Sequence, residues 1–212
     1  MPKTSIFLSI LLLAVAGGAQ ADFLFTMNTS SISGDAGSLD FSLSPGAGSD
    51  QSLTVTVYKF AGGSYGGSIS QDGNATGGPV TSGSSLKLLA NSASQLNDDF
   101  ETFDYGNSLS FMVSLSGSAL TAPNGLGTSP YEFDLFTYSD AAGSDPALTK
   151  DPNGISGVID ISPEGVVSAV GVSPDVTIAS VPEPASLWLF ASALGFAGMA
   201  FVCRRIRAIS SR

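Results

Sequence analysis

Four carboxylates fall within seven residues: Asp98, Asp99, Glu101 and Asp104. Such a group could bind Ca²⁺ or supply the acid and base of a glycosidase, because both need oxygen ligands or proton carriers held close together. The spacing does not match the calcium loop D-x-[DN]-x-[DN]-G, and charged residues that attract no ion simply keep a face solvated. These four residues are therefore the candidate metal ligands, with no cofactor implied. Gly62-Gly63-Ser64-Tyr65-Gly66 fits the G-x-S-x-G nucleophile elbow, which needs a base to take the serine proton, yet the chain contains no histidine. Ser84-Ser85-Leu86-Lys87 fits S-x-x-K without the partner motifs of that chemistry. The one cysteine, Cys203, lies near the C-terminus, so the preceding region has neither a disulfide nor a thiol nucleophile. No catalytic residue is assigned, and the expectation is a protein that is not an enzyme.

Charge is divided by region. Residues 22–180 hold all but one of the 18 acidic residues, against Lys59, Lys87 and Lys150. Affinity for nucleic acid depends on Lys and Arg displacing counterions, so nucleic acid is excluded as a partner. The five tyrosines, Tyr58, Tyr65, Tyr105, Tyr131 and Tyr138, could line a sugar-binding surface or pack within a sheet.

Positioning any of these groups falls to β-strands. Apolar residues alternate along Phe23-Phe25-Met27, Leu39-Phe41-Leu43, Leu53-Val55-Val57, Leu109-Phe111-Val113-Leu115 and Phe133-Leu135. Successive strand side chains face opposite sides, so each set covers one face of a sheet. Further β-prone runs lie at 86–89, 158–161, 166–172 and 176–178, with turn signals at Asp72-Gly73, Asn124-Gly125, Asn153-Gly154 and Glu164-Gly165. The pattern predicts an all-β domain over 22–180: an antiparallel β-sandwich of jelly-roll or immunoglobulin-like type. Leu96, Phe100 and Phe103 recur at spacings of four and three, which hints at a helical turn within 92–103, and the Gly/Ser-rich stretches 44–52, 61–68 and 73–85 read as loops.

Both ends carry addresses. Residues 1–21 combine Lys3, an apolar run over 6–16 and the small-residue pattern Ala19-Gln20-Ala21, the three regions of a signal peptide cleaved before Asp22. At the other end, 181–212, Pro182-Glu183-Pro184 precedes an uncharged run from Ala185 to Cys203, then Arg204, Arg205 and Arg207. As a helix rising 1.5 Å per residue that run would reach about 28 Å, close to the ~30 Å core of a bilayer. The expectation is one transmembrane helix with the arginine flank on the cytoplasmic side, a membrane contact, and a domain anchored on the periplasmic or extracellular side.

This tripartite tail resembles the PEP-CTERM sorting signal of bacteria that secrete polysaccharide. The resemblance implies an exosortase as partner, recognising the tail and processing it near Pro-Glu-Pro, with release to the cell surface or matrix. Taken with the absence of an assignable catalytic residue, the expectation is an exported, non-catalytic structural or binding domain, with polysaccharide as a second expected partner. The alternatives are an envelope carbohydrate-active hydrolase using carboxylates and a calcium-stabilised adhesion module.

Overall fold

Alternation of apolar and polar side chains decides which residues each strand turns inward. The structure, a computed structural model, describes residues 21–91 and 96–182. Its strands are β1 (Ala21–Asn28), β2 (Ala36–Ser44), β3 (Leu53–Ala61), β4 (Ser64–Asp72), β5 (Ala75–Gly77), β6 (Ser85–Ala90), β7 (Asn97–Asp104), β8 (Ser108–Ser116), β9 (Tyr131–Tyr138), β10 (Ile155–Ile161), β11 (Val167–Gly171) and β12 (Val176–Val181). A single helical turn, Ser118–Thr121, follows β8.

The strands form two six-stranded sheets, ordered β12-β1-β8-β3-β6-β5 and β11-β10-β9-β2-β7-β4, with antiparallel pairing throughout. From β1 to β4, and again from β6 to β8, consecutive strands change sheet, giving β1-β8-β3-β6 opposite β2-β7-β4. This interleaving is that of a jelly roll, so the sandwich is settled in favour of that topology over the immunoglobulin-like one. The short β5 moves to the edge of the first sheet, and β9 to β11 extend the second as a meander.

Every residue of the period-two sets is buried. Phe25 of β1 stacks on Phe111 of β8 with ring centroids 4.9 Å apart, and Phe111 meets Phe41 of β2 edge-on at 5.6 Å. Phe25 also meets Phe133 of β9 edge-on at 6.2 Å. The two edge-on contacts cross from one sheet to the other, while the stacked pair joins neighbouring strands of the first sheet. The period breaks once within β3: Lys59 takes a positive φ of 56° at a register shift, which turns Phe60 inward against Phe41 and Phe111.

Several expectations are corrected here. The helical hint over 92–103 fails, because Asn97–Asp104 is a strand; 92–95 lie outside the described residues. The stretch 61–68, read as a loop, opens β4, an edge strand whose side chains are nearly all exposed, and β5 interrupts 73–85. The expected C-terminal transmembrane helix is also corrected: among the described residues no helix is long and apolar enough to cross a membrane. The α-helix that is described has four residues, about 6 Å at 1.5 Å each, against the ~30 Å of a bilayer core. The segment 185–203 and its arginine flank lie outside the described residues, and the membrane contact and anchored location that rested on them are withdrawn.

Because Phe111 joins both sheets, Phe111→Ala should cost about 3–5 kcal/mol of unfolding free energy. Val170→Thr, at a position 59% exposed on the edge strand β11, should change it by less than about 0.5 kcal/mol. Urea denaturation of both variants checks the contrast.

Candidate functional site

Strand geometry divides the four candidate carboxylates. Along β7, Asn97, Asp99, Glu101 and Phe103 are buried, while Asp98 and Asp104 alternate with them on the other side. Asp98 therefore lies on the outer face of the second sheet and Asp104 is exposed at the strand end. No group of three or more His, Cys, Asp or Glu side chains among the described residues is arranged to hold a metal ion. The four residues consequently do not converge on one site.

Asp99 and Glu101 are both fully buried. Gln71 Nε2 on β4 donates to Asp99 Oδ1 at 2.6 Å and to the Gly77 carbonyl at 3.2 Å, and the Val80 amide donates to Glu101 Oε2 at 2.7 Å. These bonds strap the 77–80 segment onto the sheet. Asp99 Oδ2 and Glu101 Oε1 have no other partner. The two side chains stand two residues apart on one strand face, so a proton held between them satisfies both. Burial, the largest cause, together with the neighbouring Asp99, pushes Glu101 up to about 8.

The outer face of the second sheet collects acids that are distant in sequence. Register aligns Asp72 with Asp98, Asp98 with Ser42, and Ser42 with Asp134 in one row across β4, β7, β2 and β9. Asp160 of β10 pairs with Glu132 in the next row, and Asp40 stands two residues along β2 from Ser42. Five adjacent strands thus each contribute an aspartate, over about 19 Å at ~4.8 Å per strand. None of the six strands of this sheet contains Lys or Arg. Burial raises Asp40 to about 8, helped by Asp98; burial with Glu132 and Asp160 nearby raises Asp134 to about 8. Asp98 and Asp160 are raised as well, first by burial.

The connection 139–154 walls one end of this face. Ser38 Oγ donates to the Asp140 carbonyl at 2.9 Å, Tyr138 Oη donates to the Asn153 carbonyl at 2.9 Å, and Gly143 sits so close to the Phe100 ring that a Cβ there would lie 2.7 Å from it. Asp140 itself is held below its ordinary value by the Ser144 hydroxyl and the Asp145 amide.

The remaining motifs are structural. Gly62 and Gly63 have φ of 90° and 65° in the turn from β3 to β4, and a Cβ on Gly62 would lie 1.9 Å from the Ser108 carbonyl oxygen. A strand-to-strand turn is not the strand-to-helix turn a nucleophile elbow requires. The Ser84 hydroxyl donates to the Pro79 carbonyl and closes a turn, while Lys87 is exposed on β6. Tyr105 and Tyr131 are buried, donating at 2.7 Å to the carbonyls of Ser38 and Gln51. Tyr58 lines a shallow concavity of about 510 Å³ on the first sheet with Lys59, Phe60 and Ser82–Ser85. Sequence reasoning missed the five-strand acidic face, whose members come together only through strand register.

At the chain ends, Asp22 pairs with Val181, so the residue expected to follow signal cleavage lies beside the end of β12. Ala21 is the first residue of β1, paired with Leu115; Ala19, Glu183 and Pro184 lie outside the described residues. Pro182 follows the last residue of β12 at once. Residues 180–206 match the PEP-CTERM protein-sorting motif. The chain carries a PEP-CTERM sorting motif. That motif overlaps the last two residues of β12, so it begins inside the folded domain rather than after a linker. No curated protein and no solved structure matches the chain.

The buried acids make stability depend on pH. Asp40, Glu101 and Asp134 bind protons in the native state up to about pH 8, but only to about pH 4 when unfolded. Their contribution is full below the unfolded values and is lost as pH rises through about 8. The melting temperature should therefore be higher at pH 5 than at pH 9 by at least about 2–4 °C, the shift roughly 1 kcal/mol produces in a domain of this size. Glu101→Gln keeps the shape of the protonated acid and should shrink that difference; scanning calorimetry at both pH values reads it.

Proposed function

We propose that this is an exported exosortase substrate whose jelly-roll domain serves at the cell surface or in the extracellular matrix as a non-catalytic structural or binding module associated with exopolysaccharide. The observation that carries the reading is the sorting motif over 180–206, continuous with the edge strand of the folded domain. A signal peptide over 1–21, ending one residue before the partner of Val181, supplies the matching N-terminal address. The acidic composition of 22–180 suits a domain kept soluble outside the cell. The separation of the β7 carboxylates onto two faces of their strand supports binding or structure over hydrolysis by that group.

The test follows the full chain, with an epitope inserted at Leu126, a loop position 60% exposed, in cells with and without an exosortase. A shorter form should appear only when the enzyme is present, and Glu183→Ala with Pro184→Ala should abolish it on immunoblots. A single size in both strains would remove the sorting reading.

A further inference from the structure

The connection 78–84, between β5 and β6, is a small unit tied to itself. The Ser84 hydroxyl donates to the Pro79 carbonyl, the Thr81 amide donates to the same carbonyl at 2.8 Å, and the Ser84 amide donates to the Thr81 carbonyl at 3.2 Å. Glycines in the left-handed region stand towards both ends, Gly77 and Gly78 with φ of 95° and 73° and Gly83 with 87°. Such residues absorb backbone rotation most readily. The unit is held to the sandwich through Val80, whose side chain is 1% exposed in the core and whose amide donates to Glu101 Oε2 at 2.7 Å. Gly78 rests against the same carboxyl, where a Cβ would come 2.7 Å from Oε1.

What the unit closes on is a carboxyl pair that needs a proton. Asp99 and Glu101 meet in a side-chain hydrogen bond, and two carboxyl groups bond to one another only through a proton. Without it Asp99 Oδ2 and Glu101 Oε1 have no partner and are closed off from water. The elements packed on β7 turn only uncharged side chains toward the pair: Gln71 from β4, Leu39 and Phe41 from β2, Leu86 and Leu88 from β6, and Ala75 from β5. The ionisable groups of these strands stand elsewhere. Asp40, Asp72 and Asp98 lie on the outer face of the sheet, Asp104 at the end of β7, Tyr65 opposite Phe103, and Lys87 on the outer side of β6. Of these, Asp98 adds to the repulsion on Asp99. Burial, with Asp99 beside it, keeps the Glu101 proton bound up to about pH 8. Below that value the pair is satisfied; above it two charges are shut in side by side.

We propose that the 78–84 unit is a pH-released latch, shut on the proton shared by Asp99 and Glu101 and swinging outward when that proton is lost. Opening withdraws the Val80 side chain and amide from β7, so that water reaches both carboxylates. Burial of Val80 opposes the motion, and relief of two confined charges drives it. The glycines at 77, 78 and 83 let the unit turn while the β2–β7 and β3–β6 ladders stay paired, which makes the opening local rather than global. Ser82, Gly83 and Ser84, which wall the concavity beside Tyr58, travel with it. That part of the surface therefore has one shape in mildly acidic or neutral surroundings and another in alkaline ones.

The experiment is amide hydrogen exchange followed by NMR on the full chain, kept dispersed in mild detergent, at pH 6 and pH 9. Rates are expressed as protection factors, so that base catalysis of exchange cancels. Val113 of β8, paired on both sides within the first sheet, serves as the reference for global opening. Between pH 6 and pH 9 the Val80 amide should lose at least about tenfold more protection than Val113 does. Glu101→Gln still accepts from the Val80 amide and never ionises, so it should abolish that difference. Asp99→Asn leaves at most one charge in the pair and should act in the same direction, which keeps the test open if either variant folds poorly. Asp134→Asn, on the outer face, should respond as the parent does. A Val80 amide whose protection merely follows Val113 in the unaltered chain would overturn the proposal, because the proton would then hold the whole sandwich and no latch. A well-folded Glu101→Gln variant that still loses Val80 protection at pH 9 would overturn it too.

Discussion

The interlocked rings of Phe25, Phe41, Phe60, Phe111 and Phe133 are the contact on which the rest of this domain depends. Residues 22–180 contain no cysteine, so no covalent bridge holds the two sheets together, and apolar burial between them has to do so. Each ring comes from a different strand: three from the first sheet and two from the second. Their mutual packing fixes both the spacing of the sheets and the register in which the outward side chains are displayed. The hydroxyl-lined concavity on one face and the acidic band on the other are consequences of that register.

A strong core lets the domain tolerate two expensive features. The first is the carboxyl pair Asp99 and Glu101 at inward positions that a sandwich normally fills with apolar residues. Their bonds to Gln71 and the Val80 amide convert the cost of burial into a tie between β4, β7 and the 77–80 segment. That tie restrains an edge strand which buries almost nothing of its own. The second is the outer acidic face, where burial raises Asp134 to about 8 and a proton shared with Glu132 is what satisfies it.

Legibility from sequence followed physical cause. The strands whose inward residues are all apolar, such as β2 and β8, could be read because period two survives in the letters themselves. The segment β7 misled, since Phe100 and Phe103 lie on opposite faces and two carboxylates occupy inward positions, so its hydrophobic spacing imitated a helix. Strand β4 was hidden because an exposed, Gly- and Ser-rich edge leaves no hydrophobic signal. The acidic band was invisible for a different reason: Asp40, Asp72, Asp98, Asp134 and Asp160 are far apart in the chain and meet only through pairing. The sorting motif, a purely local pattern, could be read directly.

Pairing of Asp22 with Val181 links the two ends of the described domain through one ladder. Strand β1 is paired on both sides, to β8 and β12, whereas β12 pairs only with β1 in its sheet. The strand that is synthesised last therefore docks on the strand that is synthesised first, and it cannot do so until β1 is in place. Pro182 has no amide hydrogen to extend the ladder, so pairing stops where Pro-Glu-Pro begins. Of the residues that match the sorting motif, 180 and 181 are held in this ladder. Displacing the strand would mean breaking the β1–β12 pairs one after another and exposing Val176, which is buried at the far end of β12. Ser180 and Val181 thus belong at once to the last strand of the sandwich and to the sorting motif.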